Sequence, residues 1–487
     1  MIKPTIIASL LLFLPNLSKG GINYSHSGYA NATTVNRLSD GSIIKMPYRV
    51  LSYEPVLSSN NFNIVANTAL EFRLKDISQI MDSDLRVDLR ELYIEWMTPL
   101  GDFSLGKQII TWGSASENNP TDNISPYNYY YLFSMGKERK EGIFSLNSTF
   151  YYQNLKLNAI FIPEHNPNTL PLNDPEFSLS IPIVPTDEQI MELDNPYEYG
   201  ISINIPFSSM DVTTSYFSGY DRIVSFFGAN VWTDYTGNPQ SIIAIDTVLS
   251  FRKTDIYGLG LSYYTGDITI RGDIGYFITS SDINRSDSAL YRYYAPDTLI
   301  NHCEDKNNSI ENDPFSSGTL FPDCKSFPTF NNTELINNNA EYYQYILEIE
   351  YSPGNDYNFI SQYTKHKLEK IGLADSIRTS DTTVVFDPLI YFIPGMGSPN
   401  IFISSNAISI SARKSFPDWG LELSYTSMFD LDKKGALHGA GLEYEIFKNT
   451  NLLIEVTKIF NNDEIQMNPF TAMKDFSRIL FEIRYFY

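Results

Sequence analysis

The sequence predicts an all-β chain, a single antiparallel transmembrane β-barrel of eighteen strands, with sixteen as the alternative, short periplasmic turns and long external loops. Three observations predict it: a strand-favouring composition, segments that alternate oily and polar residues with a period of two, and connections that alternate between short and long.

Composition sets the first bound. Aromatic residues make up 14% of the 487 positions, with 34 Tyr and 31 Phe, while charged residues make up only 19%. Asn, Ser, Thr and Ile crowd the remainder, a mixture that favours strands over helices. The formal charge of −22 argues against a nucleic-acid partner, because affinity for phosphate backbones needs clustered Lys and Arg.

Residues 1–20 read as a signal peptide. Lys3 gives a positive start, Thr5 to Leu14 is apolar but too short to span a bilayer, and Ser18-Lys19-Gly20 is a small-x-small cleavage site. No Cys follows the cut to suggest a lipid anchor. The mature chain, 21–487, has no apolar run of helical membrane-spanning length, so it enters a membrane as strands or not at all. Cys303 and Cys324 share one polar external segment, and an exported pair of this kind is expected to form a disulfide. The histidines are scattered without ligand spacing, so neither metal nor cofactor is expected.

The last strand alternates Ile479, Phe481, Ile483, Tyr485 and Tyr487 with Leu480, Glu482, Arg484 and Phe486. A terminal amphipathic strand ending on an aromatic looks like the signal read by the barrel-assembly machinery. The same dyad recurs upstream. Ile268, Ile270, Ile274 and Ile278 oppose Thr269, Arg271, Asp273 and Phe277; Tyr345, Leu347 and Ile349 oppose Gln344, Glu348 and Glu350. Leu421, Leu423 and Tyr425 oppose Glu422 and Ser424, and Leu442 and Tyr444 oppose Glu443 and Glu445. Lipid outside and water inside require this pattern.

Short turns fall at 99–102, 153–154, 208–209, 265–267, 352–355, 416–418 and 448–449. Long connections lie between them, at about 113–141, 164–196, 224–240, 281–340, 370–399, 430–436 and 461–474. Sixteen strands run from Phe62 to Tyr487 on this reading, and an upstream hairpin, Tyr29 to Leu38 turning at Ser39-Asp40-Gly41 into Ile43 to Leu57, makes eighteen. Two phase slips are expected. One falls between Leu89 and Glu91, the other at Gly106-Lys107, where it would keep the lysine out of lipid.

The segment Leu105-Gly106-Lys107-Gln108-Ile109-Ile110-Thr111-Trp112-Gly113, followed by Asp122 and Ser125-Pro126, resembles the signature of a family of poorly characterised Gram-negative outer-membrane barrels. That family is similar in architecture to the alginate-export porins. Leu89 to Tyr93, Ile162-Pro163-Glu164 and Ser215 to Asp221 extend the resemblance over most of 85–280. It implies a channel-like barrel in the cell outer membrane and no particular solute. Lys107 and Ser125 depart from the family's usual Arg and Asn, and a lysine cannot make the arginine's bidentate fork.

Function is therefore expected to be passive diffusion of small polar solutes, with no catalysis. The long loop 114–140, the third external one, is the expected pore constriction: Glu117, Asp122, Lys137 and Arg139 would set a transverse field, and Tyr127 and Tyr129 would offer stacking surfaces. The other reading of the same residues is an interfacial tyrosine girdle with a solvated charged rim. Lys107, Arg271, Asp273, Glu348, Glu350, Glu422, Glu443, Glu445, Glu482 and Arg484 are expected to line the lumen, and their acidic balance suggests a cation preference. Two alternatives remain: a surface adhesin or receptor acting through the Asn-rich loop 281–340, and a barrel-embedded hydrolase, for which no Gly-x-Ser-x-Gly motif is present.

Overall fold

The computed structural model describes residues 21–487 apart from 75–83, 135, 173, 177–184, 187–188, 194, 235–240, 282–296, 313–328, 373–374, 379–382 and 462–467. Eighteen strands among the described residues pair into one antiparallel sheet. The first half supplies β1 (Asn23–Arg37), β2 (Tyr48–Ser59), β3 (Phe62–Arg73), β4 (Asp84–Thr98), β5 (Gly101–Gln108), β6 (Ile143–Tyr152), β7 (Leu155–Ile162), β8 (Glu198–Pro206) and β9 (Met210–Tyr220). The second supplies β10 (Lys253–Thr265), β11 (Ile268–Ser280), β12 (Ala340–Tyr351), β13 (Tyr357–Ile371), β14 (Asn406–Phe416), β15 (Leu421–Asp430), β16 (Ala436–Phe447), β17 (Thr450–Phe460) and β18 (Arg478–Phe486). Each strand pairs with the next in sequence. β1 then pairs with β18, from Tyr29 opposite Phe486 to Arg37 opposite Arg478, so the sheet closes and the upstream hairpin belongs to it.

Closure follows from the sequence pattern. In hydrocarbon every backbone N–H and C=O must find a partner within the protein, and only a sheet without edges satisfies that with strands. The outward rows are apolar and exposed: Tyr257, Leu259, Leu261 and Tyr263 on β10, Leu347, Ile349 and Tyr351 on β12, Phe481, Ile483 and Tyr485 on β18. Between them Ser262, Gln344, Glu348 and Glu482 are buried on the inner face. Among the described residues no helix is long and apolar enough to cross a membrane. An apolar belt around a polar interior, with short turns at one end and long loops at the other, makes this an outer-membrane barrel. The tight turns take the left-handed backbone that two-residue hairpins demand, as at Gly266 (φ +56) and Asn449 (φ +62).

The phase slip between Leu89 and Glu91 is a bulge: Glu91 pairs with Asn67 and Leu89 with Thr68, leaving Arg90 out of the ladder. Leu85 and Val87 thereby face lipid above the bulge, and Leu92 and Trp96 below it. The slip expected at Gly106-Lys107 is absent. The ladder runs unbroken through both residues and puts Lys107 in the outward row opposite Leu92 and Phe144. Its ammonium turns along the wall to the Leu89 carbonyl, 2.6 Å away beside the bulge, with Asp88 at 4.0 Å. Lys107 thus lies in the outward row and does not line the lumen.

Three loop expectations also change. The first external turn is longer than Ser39-Asp40-Gly41, because β1 ends at Arg37 and β2 begins only at Tyr48. The loop expected at 224–240 spans 221–252, since Ser225–Asp234 and Ser241–Ser250 pair with each other outside the barrel wall. Thr329–Leu335 adds a third strand to that hairpin, and the same 281–340 loop carries a helix, Asp297–Asn312, with Cys303 buried on it. Cys324 lies outside the described residues, as do residues 1–20.

The buried apolar core sits inside the barrel. One cluster gathers Ile110, Ile124, Phe217, Ile256, Phe277, Tyr342 and Met396; a second gathers Tyr127, Tyr129, Leu132, Met428, Leu437, Phe470 and Phe476. Both mix wall residues with residues from external loops, so the loops descend into the lumen.

Candidate functional site

Loop 3, residues 109–142, leaves β5 and crosses the lumen. Its first turn is fixed by two of its own side chains and one from the wall: Asp122 accepts from the Trp112 amide (3.0 Å), Ser125 from the Ile110 amide (2.8 Å), and Glu91 of β4 from the Ile109 amide (2.9 Å). Trp112 Nε1 donates to Asn158 on β7 (3.0 Å). Gly113 then takes φ +105, where a Cβ would meet the Asn119 side chain at 1.9 Å, so the Trp-Gly pair of the sequence signature is a turn that only glycine makes.

Beyond the turn the strap lies against the wall formed by β10, β11 and β12. Asp273 accepts from the amides of Ser114 (3.0 Å) and Ala115 (2.6 Å) and from Asn119 Nδ2 (3.0 Å). Glu348 accepts from the Ser116 hydroxyl (2.6 Å) and from Gln362 Nε2 (2.5 Å). The close approach is possible because the facing wall positions are glycines. A Cβ on Gly260 would meet Asp273 Oδ1 at 2.5 Å and Ser114 Oγ at 2.6 Å, and one on Gly200 would meet the Trp112 ring at 2.8 Å.

The return limb is tied to the opposite wall by charge. Glu138 bridges Arg49 of β2 (2.6 Å) and Arg90 of β4 (3.2 Å), and the Arg49 guanidinium stacks 3.8 Å from the Tyr131 ring centre. Tyr131 in turn donates to Glu71 of β3 (2.9 Å). Burial alone would raise the Glu138 carboxyl, but the Arg90 and Arg49 charges outweigh it and hold the group below its ordinary value. Where the two limbs meet, Lys140 and Asp122 form a buried ion pair at 2.6 Å. Burial pushes the Lys140 ammonium down, against the pull of Asp122.

A second segment enters from the loop after β13. The backbone of residues 393–398 is held from below: Arg252 donates to the Ile393 carbonyl (2.6 Å), Gln344 to the Met396 carbonyl (3.0 Å), and Asn123 accepts from the Gly397 amide (2.6 Å). Arg252 is itself clamped by Asp221 at 2.7 Å, with both side chains fully buried. Phe402 then packs edge-on against Tyr129 at 5.2 Å. The two inserted segments fill the side of the lumen bounded by β6 to β12.

Among the described residues a cavity lies on each side of the loop 3 tip, and Phe133 and Ser134 border both. The larger, about 420 Å³, lies against β1, β2, β17 and β18; it is lined by Arg49, Arg478 and Arg484 together with Glu138, Glu455 and Glu482. The smaller, about 210 Å³, lies against β13 to β16 and holds Glu117 and Arg139. The tip is pinned as the partition: Phe133 stacks on Phe476 at 6.0 Å, and the Arg478 guanidinium lies 5.2 Å from the Phe133 ring centre.

The expected constriction residues are therefore dispersed. Glu117 and Arg139 border the smaller cavity as an ion pair at 2.5 Å. Asp122 is buried with Lys140, and exposed Lys137 stands 3.6 Å from Glu91. Tyr127 and Tyr129 are buried in the strap's own core, so they present no ring to a passing solute and form no girdle. Burial pushes both phenols up.

Of the expected wall residues, Asp273 and Glu348 are strap anchors. Arg271 pairs with Glu348 (2.5 Å) and Glu350 (2.7 Å), Glu422 with Arg413 (3.1 Å), and Glu482 with Arg484 (2.6 Å). Glu443 accepts from Asn451 (2.6 Å), and Glu445 shares its inward row nearer the short-turn end. Sequence reading missed Arg49, Glu71, Arg478 and the inserted segment 393–402. The signal for that segment was present: Ile393-Pro394-Gly395-Met396-Gly397 is an apolar, glycine-bearing run inside a polar external loop.

No protein-family model matches the chain, and no curated protein does. Among solved structures, Acinetobacter baumannii OccAB2 is 11% identical with a TM-score of 0.47, over 96% of this chain and 98% of that one. Pseudomonas aeruginosa OccK8 (OprE) is 12% identical with a TM-score of 0.46, over 96% and 98%. OmpT, an outer membrane protein of Vibrio cholerae, is 11% identical with a TM-score of 0.39, over 97% and 100%. The architecture itself rests on the strand pairing of this chain.

Proposed function

We propose that the protein is a porin-like channel that conducts small polar solutes passively through the two passages beside the loop 3 tip. One observation carries the reading. The closed barrel keeps two cavities, of about 210 and 420 Å³, on either side of the tip of an inward-folded loop, each with charged or hydroxyl-bearing side chains in its wall. The reading gives no residue a catalytic role. It includes export by way of residues 1–20, assembly through the β18 signal, and kinship with the barrel family that the Leu105–Gly113 segment resembles.

A weak cation preference is part of the proposal, on a narrower basis than the total acidity. Asp273, Glu348, Glu350, Glu422 and Glu482 are offset by bases or by strap donors, whereas Glu443 and Glu445 face the lumen with no basic partner among the described residues. Their field draws cations into the short-turn vestibule. In a KCl gradient across a planar bilayer, the reversal potential should favour K⁺ and move toward zero in Glu443→Gln/Glu445→Gln. An anion-selective wild type, or a double variant that keeps the full preference, would remove this part of the proposal.

A further inference from the structure

We propose that the smaller passage is a binding site for uncharged polyhydroxy solutes, polyols and monosaccharides, while ions use the larger one; this rests on the channel reading. The two cavities share a partition but not a chemistry. The larger presents six charged side chains, arranged as the three pairs Arg49–Glu138, Arg478–Glu455 and Arg484–Glu482, so an ion of either sign meets charged groups on several sides. The smaller has a single pair among its described lining residues, Glu117 with Arg139 at 2.5 Å, so an ion entering meets far fewer charged groups to replace the water it sheds.

What the smaller passage does offer is hydroxyl and amide groups. Ser411 stands opposite Thr426 across the β14–β15 ladder, with Ser409 two residues along. All three border the cavity on the inner face, because the neighbouring Ile410 and Tyr425 are exposed on the outer one. None of the three hydroxyls has a hydrogen-bond partner among the described residues, and Arg139 Nε is buried without one. Facing them are the apolar side chains of Leu132, Phe133, Met428 and Leu437. A polyol or sugar ring has the same division, with a rim of hydroxyls that need donors and acceptors and C–H faces that prefer apolar contact.

The test uses the purified full-length chain in liposomes, with osmotic swelling in sorbitol and in glucose, and KCl conductance in planar bilayers. Swelling should saturate with solute concentration. Ser411→Ala/Thr426→Val removes two hydroxyls without narrowing the passage and should raise the half-saturating concentration about tenfold, the loss expected for two modest hydrogen bonds. Ser411→Phe should abolish polyol swelling and leave most KCl conductance, with heat-modifiable electrophoretic mobility showing that the barrel is folded. Linear swelling unaffected by Ser411→Ala/Thr426→Val, or polyol flux and KCl conductance falling together in Ser411→Phe, would overturn the assignment while leaving the channel intact. A folded wild type that passes neither ions nor polyols would overturn the channel reading and this inference with it.

Discussion

Lys140 shows how residue chemistry holds the strap. Its ammonium is buried 2.6 Å from Asp122, at the point where the outgoing and returning limbs of loop 3 touch. Breaking a buried pair by removing one partner leaves the other charge uncompensated, which costs about 3–5 kcal/mol, whereas replacing both with apolar groups is often neutral. Asp122→Ala should therefore lower the melting temperature and make the channel noisy. Asp122→Ala/Lys140→Met should recover most of the stability, as read by thermal denaturation in detergent. A double variant no better than the single one would show that the pair is not what joins the limbs. From the sequence Asp122 was visible as a charge beside the Trp-Gly motif. Its pairing with Lys140, another charge of the same loop, was not, because the two lie eighteen positions apart and only the fold of the loop brings them together.

At the scale of elements, strands were legible and loops were not, for one physical reason. A lipid-facing strand must alternate, so even the bulge at Arg90 announced itself as a change of phase in the sequence. A loop that folds inward obeys no period. The hairpin Ser225–Asp234 with Ser241–Ser250 has strand-like composition without facing lipid, and its second arm was absorbed into β10 on the sequence reading. Lys107 erred in the opposite direction: aversion to lipid suggested a slip, but an ammonium that reaches the Leu89 carbonyl along the wall removes the need for one. The wall elements also specify where the strap lies, through the glycines of β8, β10 and β11. Gly260→Val would place a Cβ 2.5 Å from Asp273 Oδ1 and 2.6 Å from Ser114 Oγ, with two methyl groups attached to it. The strap should lift from this wall while the barrel stays folded, raising conductance and its noise. An unchanged conductance with an intact barrel would mean that this contact does not position the loop.

At the scale of the whole molecule, parity and topology came from the sequence, and the interior did not. Eighteen strands with both ends on the short-turn side follow from counting dyads and turns, and the β1–β18 pairing closes that count. The content of the lumen depends on which loops turn inward. The acidic wall that suggested a uniform cation field is largely consumed as anchorage, Asp273 and Glu348 by the strap amides and hydroxyl, Glu482 by Arg484. What results is a barrel filled on one side by loop 3 and the 393–402 segment, with two unequal cavities on the other. Outside the wall, the loops after β9 and β11 build a three-stranded sheet and the helix Asp297–Asn312. Single-channel conductance before and after excising the strap tests this account most directly. Wild type should show small, discrete conductance steps, and a chain in which residues 114–134 are replaced by a short Gly-Ser linker and Lys140 by Met should show steps several-fold larger from a barrel that still folds, though it melts at a lower temperature without the strap's buried core. Equal steps in the two proteins, or none in either, would contradict a lumen gated by that loop.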